Sequence, residues 1–598
     1  MTKNTIHKLS RNTEYYALDK YFDDIYHVSK RGGSLKNLYD TAFSPRNIAL
    51  AFRNLKFNKG SKTPGVDDVH IGNLKSKPLN IFIRDIQKMA KNYKPSLVRR
   101  VWIPKPNGKK RPIGIPTLAD RLFQQCIKQV IEPICEAKFH PHSYVFRPNR
   151  STSDALARAL FLMNQNELHY VVDIDIQSFF DTIDHGKLLK QCWAIGIRDK
   201  KILSIMSKML KAEVVGEGIS TKGTPQGGIL SPLLSNICLN ELDWWYTSQW
   251  ATFPTKYPYK RTSHAARALR GNSKLKEFHS VRYADDFKIF CRDYKTAVKI
   301  FAATRLWLKD RLNLQISSEK SSITNLRKKS SPFLGISLRA CHNKNGKFSC
   351  RSRVLDKAME TMKSTIKAAI IKLQKHPNPS TVLFYNSTIL GYSSATDCTT
   401  DFHRLGYIMS FSINARLKKL ISNKGSLTKT YRRKYKWKSS PKFICGIPLF
   451  PISEIRHRKL FQFSQKMTPY TQEGRQMMHK ELDSLLKRDL EHLASQFEID
   501  QSIEYNDSRI SKWSLQKGRC AVTKNYLGIN FHCHHITPRS KGGSDHFSNL
   551  VIVSPEVHRL IHATDSQTIT VLLNELKLNK ISLRKLNKFR EQAGINTI

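Results

Sequence analysis

The sequence predicts an α+β protein of several domains, and three observations carry that reading. One short stretch, at 169–175, alternates apolar residues with acids as a half-buried strand does, and another, at 281–290, flanks two adjacent acids with apolar and aromatic residues, which suits two short strands and a turn. A long helical and basic region follows from Gly346 to about Tyr470. A histidine-rich block then runs from Phe531 to His562, with a glycine turn, a strand-like N-L-V-I-V and two histidines at helical spacing. The chain has 598 residues, enough for several cores, and its 40% hydrophobic content can fill them.

Charge narrows the partners. Lys and Arg number 101 against 47 Asp and Glu, a formal net charge of +54 spread along the whole chain. A folded chain this basic is built to bind a polyanion, nucleic acid first, with strongly salt-dependent affinity. A ribosome-associated protein or a binder of anionic membrane would share the charge, but neither explains clustered acids. The 11 cysteines include no Cys-x-x-Cys pair, which argues against a disulfide framework and for a reducing compartment. No apolar run approaches the roughly 20 residues that span a bilayer. The N-terminus, soon followed by Asp19, Asp23 and Asp24, resembles neither a secretory signal nor an acid-poor transit peptide. The chain is therefore expected to act in the compartment where it is made.

In chain order, Ser44-Pro45 reads as a helix cap and first turn, continued from Ala49 to Leu55. The basic, glycine-containing loop at 58–67 suits phosphate contact or an ordinary surface. At 101–116, V-W-I-P-K-P-N-G-K-K-R-P-I-G-I-P reads as two strands around a Pro-Asn-Gly turn. Lys105, Lys109, Lys110 and Arg111 crowd it, cations able to hold a triphosphate or a template backbone. A helical stretch follows from Asp120 to Ile134, and Ser151 caps another helix beside Arg147 and Arg150.

Three stretches carry chemistry. In H-Y-V-V-D-I-D-I-Q-S-F-F-D, at 169–181, Asp173 and Asp175 share one strand face. In G-T-P-Q-G-G-I-L-S-P-L-L-S-N, at 223–236, Gly223, Gly227 and Gly228 allow close backbone approach beside Gln226, before a helix begins. In V-R-Y-A-D-D-F-K-I-F, at 281–290, two strands meet at a turn that exposes Asp285 and Asp286. Adjacent acids at such a tip can bind a hard cation such as Mg²⁺, and two-metal sites of this kind serve nucleotidyl transfer. Each stretch alone is a weak signal.

Taken together, from the loop at Asn58 to F-L-G-I at 333–336, these motifs resemble a reverse transcriptase. More closely they resemble a group II intron-encoded reverse transcriptase–maturase, although Val145 stands where that family usually has Gly. The resemblance implies a right-hand polymerase of fingers and palm over 1–345. It implies Asp175, Asp285 and Asp286 as the catalytic metal carboxylates, with Mg²⁺. Phe180 would be the ring that rejects a ribose 2′-OH and so favours dNTPs. Gln226 would lie beside the incoming nucleotide and Arg111 at its phosphates. Lys320 would give a proton to the leaving pyrophosphate or simply position it. Asp173 falls outside this set, because the family's acid begins D-I-x-x-x-F.

The region 346–470 resembles the maturase (X) or thumb domain, which grips intron RNA, with helices starting near His403 and Asn414. Within it Y-R-R-K-Y-K-W-K, at 431–438, interleaves cations with rings that can stack bases. The stretch 471–515 is expected to be a DNA-binding linker with a charged helix from Glu481. Residues 516–565 resemble an HNH (ββα-metal) endonuclease. His558 and His562, at i and i+4, share a helix face suited to one metal. The resemblance makes His535 the general base, and His534, His558 and His562 the ligands of a divalent ion expected to be Mg²⁺. It makes Asn549 the residue that orients His535. Relatives commonly add two Cys-x-x-Cys pairs around a structural zinc. Here Cys520 is followed by Thr523, and Ser554 and Val557 precede His558, so a four-Cys site cannot form. The unit is then braced by packing or is marginal. Residues 566–598 read as a basic tail.

The expected function is RNA-directed DNA synthesis, intron splicing and DNA cleavage in intron mobility. The expected partners are the parent intron RNA, target DNA and dNTPs, with a homodimer left open, in a bacterial cytoplasm or an organelle. A splicing factor with idle enzyme domains is the alternative, and decay at the acids would mark it. A reverse transcriptase of another retroelement is the third reading, and the maturase-like and HNH-like regions argue against it.

Overall fold

The computed structural model describes residues 11–598 apart from 105–107, 109, 402, 436–439, 455–456 and 480–482. Lys105 and Lys109 of the hairpin turn, residues 436–438 of the cation–aromatic run, and Glu481 as a helix start therefore lie outside the described residues.

The N-terminal half is built on helices α1 (Asp19–Lys30), α2 (Pro45–Lys56) and α3 (Leu118–Lys138). Ser44 caps α2, its Oγ accepting from the Asn47 amide at 3.4 Å, with Pro45 in the first turn. Ile48, Phe52 and Leu55 on α2 meet Phe123, Ile127 and Ile131 on α3 in the largest apolar core. Strands β1 (Arg99–Pro104) and β2 (Lys110–Ile115) form an antiparallel hairpin, Arg99 opposite Ile115. Helix α4 (Thr152–Asn164) starts on a capping box of Ser151 and Asp154.

The site-bearing sheet follows. Strands β3 (Tyr170–Asp175), β4 (Phe278–Tyr283), β5 (Asp286–Cys291) and β6 (Ser322–Asn325) pair antiparallel in the order β4-β5-β3-β6. Helix α5 (Ser231–Ser248) packs against β4. Across β3 and β5 the register sets Val171 opposite Phe290, Asp173 opposite Lys288, and Asp175 opposite Asp286. One face thus grades from apolar at one end to acidic at the other. The opposite face, with Val172, Ile174, Phe287 and Ile289, is buried in the main core. A second sheet, of β7 (Ser331–Phe333), β8 (Ile336–His342) and β9 (Phe348–Val354), packs beside it in the order β9-β8-β7.

Helices α6 (Asp356–Lys375), α7 (Pro379–Thr396) and α8 (His403–Leu417) then form a separate helical core with Ile366, Tyr385 and Leu405 inside. Helix α8 runs unbroken through Asn414, so the expected second helix start there is corrected to the interior of one helix.

The stretch expected as a linker is not a free connector. Helices α9 (Ser484–Ser495) and α10 (Ile503–Gln516) pack on the N-terminal helices, and Leu490, Leu493, Ile510 and Trp513 join the main core. Buried ion pairs fix the contact: Asp507 takes Arg53 at 2.7 Å and Lys56 at 2.6 Å, and Arg475 takes Asp23 at 2.6 Å.

The C-terminal block is a ββα unit: β10 (His532–His535), β11 (Leu550–Val553) and α11 (Pro555–His562), with His534 opposite Val551. The supposed basic tail is a second correction. It folds into α12 (Ser566–Leu576) and α13 (Lys580–Ala593), whose Leu572, Leu586, Phe589 and Ala593 cover Leu560 and Ile561 of α11. Cys520, Val522, Val553 and Val557 belong to the same apolar cluster, and Ser554 caps α11 through the Val557 amide at 3.3 Å. Cys520 and Val557 are thus core residues, and packing braces the unit.

Candidate active sites

The hairpin between β4 and β5 turns at Ala284, which takes a positive φ of 61°. That turn puts Asp285 at the tip, next to Asp286 and the cross-strand Asp175. Directly opposed antiparallel residues point to the same face, so Asp175 and Asp286 look the same way. Burial pushes the Asp285 carboxyl up, and Asp175 adds to the effect. Burial likewise lifts Asp286 to about 6, against the pull of Lys288 and with further push from Asp173, Asp285 and Asp175. Carboxyls raised by their neighbours' charge are what a divalent cation neutralises. Lys320 Nζ lies 3.0 Å from Asp175 Oδ2, and the Asp175 amide donates to Ser321 Oγ at 3.1 Å. Among the described residues the three carboxylates do not close to within 4.8 Å as a set.

Asp173 is turned to other work. It pairs with Lys288, which is 2% exposed, and accepts from Ser331 Oγ at 2.9 Å, tying the acidic sheet to β7. Nothing in the local pattern marks Lys288, 115 residues away, as the partner of Asp173.

Beside the acids, the loop before α5 is clamped. The Thr224 amide donates to Phe180 O at 2.7 Å and the Gly223 amide to Ile183 O at 2.7 Å. A Cβ on Gly227 would stand 2.1 Å from Gly114 O of β2, so the loop and the hairpin touch backbone to backbone. Arg111 Nε donates to Gln226 Oε1 at 2.6 Å, and Gln226 Nε2 reaches Asp181 Oδ1 at 3.5 Å. Phe180, Gln226 and Arg111 are thus brought to one place. Asp181, whose carboxyl burial raises, joins them without having been anticipated. A cleft of about 500 Å³ opens here, lined among others by Arg100, Trp102, Asp181, Gly223 and Gln226.

In the ββα unit, ring nitrogens of His534, His558 and His562 lie within 4.8 Å of one another. His534 Nε2 is buried and, among the described residues, has no hydrogen-bond partner. Burial, then the neighbouring rings of His558 and His562, lowers His534 to about 3. Burial first, then His562, lowers His558 to about 4. These imidazoles are neutral at pH 7, as metal ligands must be. Three imidazoles suit a borderline transition dication better than Mg²⁺, which prefers oxygen donors, so the donor set argues against the Mg²⁺ expected there.

His535 Nε2 sits 2.8 Å from Asp545 Oδ1, and its ring stacks on Tyr505 with centroids 5.6 Å apart. Asp545 is further held by Arg539 at 2.7 Å and by Ser502 Oγ at 2.5 Å. The expected role of Asn549 is corrected here. Its side chain accepts from the Thr537 amide at 2.8 Å and donates to Thr537 O at 3.0 Å and Ser544 O at 2.9 Å. It braces the loop that leaves β10, whereas Asp545 is the side chain bonded to the His535 ring. Sequence spacing could not single out Asp545, because its role appears only once the loop folds back over β10.

A paired-acid hairpin opposite a third acid, with a glycine-clamped Gln loop alongside, suits metal-assisted nucleotidyl transfer. Residues 103–338, which include all three acids, match the family model for reverse transcriptase (RNA-dependent DNA polymerase). Protein YkfC of Escherichia coli K12 is 33% identical over 296 residues, 47% of this chain and 77% of that protein. Group II intron-encoded protein LtrA of Lactococcus lactis is 28% identical over 589 residues, 84% of this chain and 96% of that protein. An uncharacterised 91 kDa protein in the cob intron of Schizosaccharomyces pombe is 30% identical over 373 residues, 56% of this chain and 45% of that protein. The chain belongs to the reverse transcriptases and has their polymerase fold. Within them it is a group II intron-encoded reverse transcriptase–maturase, acting in intron splicing and mobility on intron RNA, with a polymerase domain that requires a divalent metal. Its relatives include a bacterial intron-encoded protein and a mitochondrial intron maturase. No helix of the described residues is long and apolar enough to cross a membrane.

Proposed function

We propose that Asp175, Asp285 and Asp286 hold Mg²⁺ for cDNA synthesis from dNTPs, and that the ββα unit nicks target DNA as an HNH endonuclease. The observation that carries the polymerase reading is the register of Asp175 against Asp286 beside the Asp285 turn. Mg²⁺ bound there would stabilise charge on the attacking 3′-oxygen and the leaving pyrophosphate. The chain's own residues do the rest. Arg111 pairs with the triphosphate, and Gln226, held between Arg111 and Asp181, lies against the nucleotide. Phe180 fills the space a ribose 2′-OH would need. Lys320 leaves Asp175 to meet the departing pyrophosphate as charge or proton donor.

In the nuclease, His535 takes the proton of the attacking water while Asp545 fixes its ring. His534, His558 and His562 suit a transition dication, which would polarise the scissile phosphate. Asn549 keeps the base's loop in place. The 3′ end produced by nicking the second strand would prime synthesis on the intron RNA, in a bacterial cytoplasm or an organelle.

The test is primer extension on an RNA template with dNTPs and Mg²⁺, comparing wild type with Asp285→Ala/Asp286→Ala and assaying splicing on the same preparations. The expected result is a variant that splices but makes no cDNA. A wild type that binds RNA and promotes splicing yet makes no cDNA would remove the polymerase assignment.

A further inference from the structure

The segment joining α5 to β4 is strongly basic and carries exposed rings among its cations. Between Ala251 and Lys276 it holds seven Lys or Arg and no Asp or Glu. Among the described residues Lys256, Lys260, Arg261, Arg267 and Lys274 all face solvent, and none of them makes an ion pair. Arg270 differs, since it is tied to Glu277 at 2.8 Å. Interleaved with these cations are exposed rings: Tyr257 is 61% exposed, Phe253 43% and Tyr259 40%. Pro254 and Pro258 keep the residues before them extended, which displays the rings rather than burying them. A segment that needed only to close the chain would have neither this charge nor these rings.

Its position sets the rest of the argument. The segment leaves the C-terminal end of α5 at Ser248, and α5 begins next to the Gln226 loop. At 1.5 Å per residue, the 18 residues of α5 carry the chain about 27 Å from that end. The segment re-enters at Phe278, the end of β4 away from the acids. At about 3.4 Å per residue, Tyr283 lies roughly 17 Å further on. Both anchors therefore stand at the far end of the palm from Asp285 and Asp286, outside the polymerase cleft.

We propose that residues 253–276 form a second RNA-binding surface, which stacks unpaired RNA bases on Tyr257 and Tyr259 and pairs phosphates with Lys256, Lys260 and Arg261. The proposal rests on the reverse transcriptase–maturase assignment for the class of partner. Such a surface lets the protein grip folded RNA while the cleft holds a primer and template. Unpaired bases offer π-faces to aromatic rings without sequence preference, and each stacked ring is worth about tenfold in affinity.

The experiment uses the full chain with its cleft filled by saturating unlabelled primer–template duplex. A fluorescein-labelled RNA hairpin with an unpaired loop is then titrated at several salt concentrations. Tyr257→Ala/Tyr259→Ala is expected to weaken binding at least tenfold at every salt concentration, with the slope of log affinity on log salt unchanged. Lys256→Ala/Lys260→Ala/Arg261→Ala is expected to flatten that slope by about 2, since each phosphate contact on a single strand contributes about 0.7. Extension of a short primer–template should stay at the wild-type rate in both variants. Unchanged hairpin affinity would overturn the proposal. Loss of extension in step with binding would overturn it by returning the segment to the cleft, and equal weakening on a DNA hairpin of the same sequence would replace RNA with DNA. A wild type that binds no RNA hairpin at any salt would instead undo the maturase assignment.

Discussion

At the scale of single residues, function here depends on places where one atom more would not fit. Gly227 is needed for space: the Cβ of an alanine would overlap Gly114 O at 2.1 Å and push the Gln226 loop off the hairpin that carries Arg111. Gly227→Ala is therefore expected to lower primer extension at least tenfold while splicing and the melting temperature hold, as steady-state extension and thermal scans will show. The sequence marked this glycine as a point of close approach, but what it approaches lies 113 positions earlier and became visible only in the fold. Glu14 gives a second residue-scale prediction. Burial first, then Asp19, lifts its carboxyl to about 7 from 4.5, with Arg475 pulling the other way. A carboxyl with a folded-state pKa above its unfolded value disfavours folding once it must ionise, and this cost grows as pH rises from 4.5 to 7. The cost is at most about 3 kcal/mol at pH 8 and vanishes below pH 4.5. Glu14→Gln should raise the melting temperature at pH 8 and leave it unchanged at pH 4, which thermal scans across pH will check.

At the scale of elements, the strands and helices near the acids follow from local sequence. Alternation gave β3, β4 and β5, and Ser44-Pro45 and Ser151 gave the starts of α2 and α4. Elements whose role is set by partners far along the chain did not show themselves. Helix α10 is one: Asp507 is 3% exposed and sits between Arg53 and Lys56 of α2, more than 450 positions away. A charged stretch with no motif reads as a connector, and only the fold reveals it as a clasp. Burial would raise the Asp507 carboxyl, but Arg53 and Lys56 together outweigh it and hold the group at about 2. Its stabilising contribution is present above pH 3.8 and is lost as pH falls through 2. Asp507→Ala leaves Arg53 buried without a counter-charge, while Lys56 keeps Glu504 at 3.0 Å, a loss of about 3–5 kcal/mol. The expected outcome at pH 7 is early protease cleavage between α9 and the ββα unit and a lower first melting transition, read by limited proteolysis and calorimetry.

At the scale of the whole molecule, the nuclease-like unit is not a bead on a string. Its base-side residue Asp545 is bonded to Ser502 at the start of α10, and His535 stacks on Tyr505 of the same helix. Through α10 and the Asp507 clasp, the unit is joined to the helices of the N-terminal half. On its other side α12 and α13 complete its core. The sequence concealed this dependence because 580–593 is rich in Lys and Arg. Its apolar positions Leu586, Phe589 and Ala593 fall on one helical stripe, whose meaning depends on the surface of α11 that it covers. A chain ending at residue 565 would uncover Leu560 and Ile561 and lose the buried Leu572, Leu586 and Phe589. Each such side chain contributes about 1.5–3 kcal/mol by burial, and together they exceed the margin of a small unit without a four-Cys site. The truncated protein is expected to extend primers at the wild-type rate. It should also lose protease resistance in residues 516–565 and fail to bind Co²⁺ at the three histidines, followed by the visible absorption of the bound ion. A truncated chain that binds Co²⁺ with full-length affinity would show that α12 and α13 are dispensable for the site. The ββα unit would then have to be held by α10 and the Asp545–Ser502 contact alone, and Ser502→Ala in the truncated chain would be the variant that releases it.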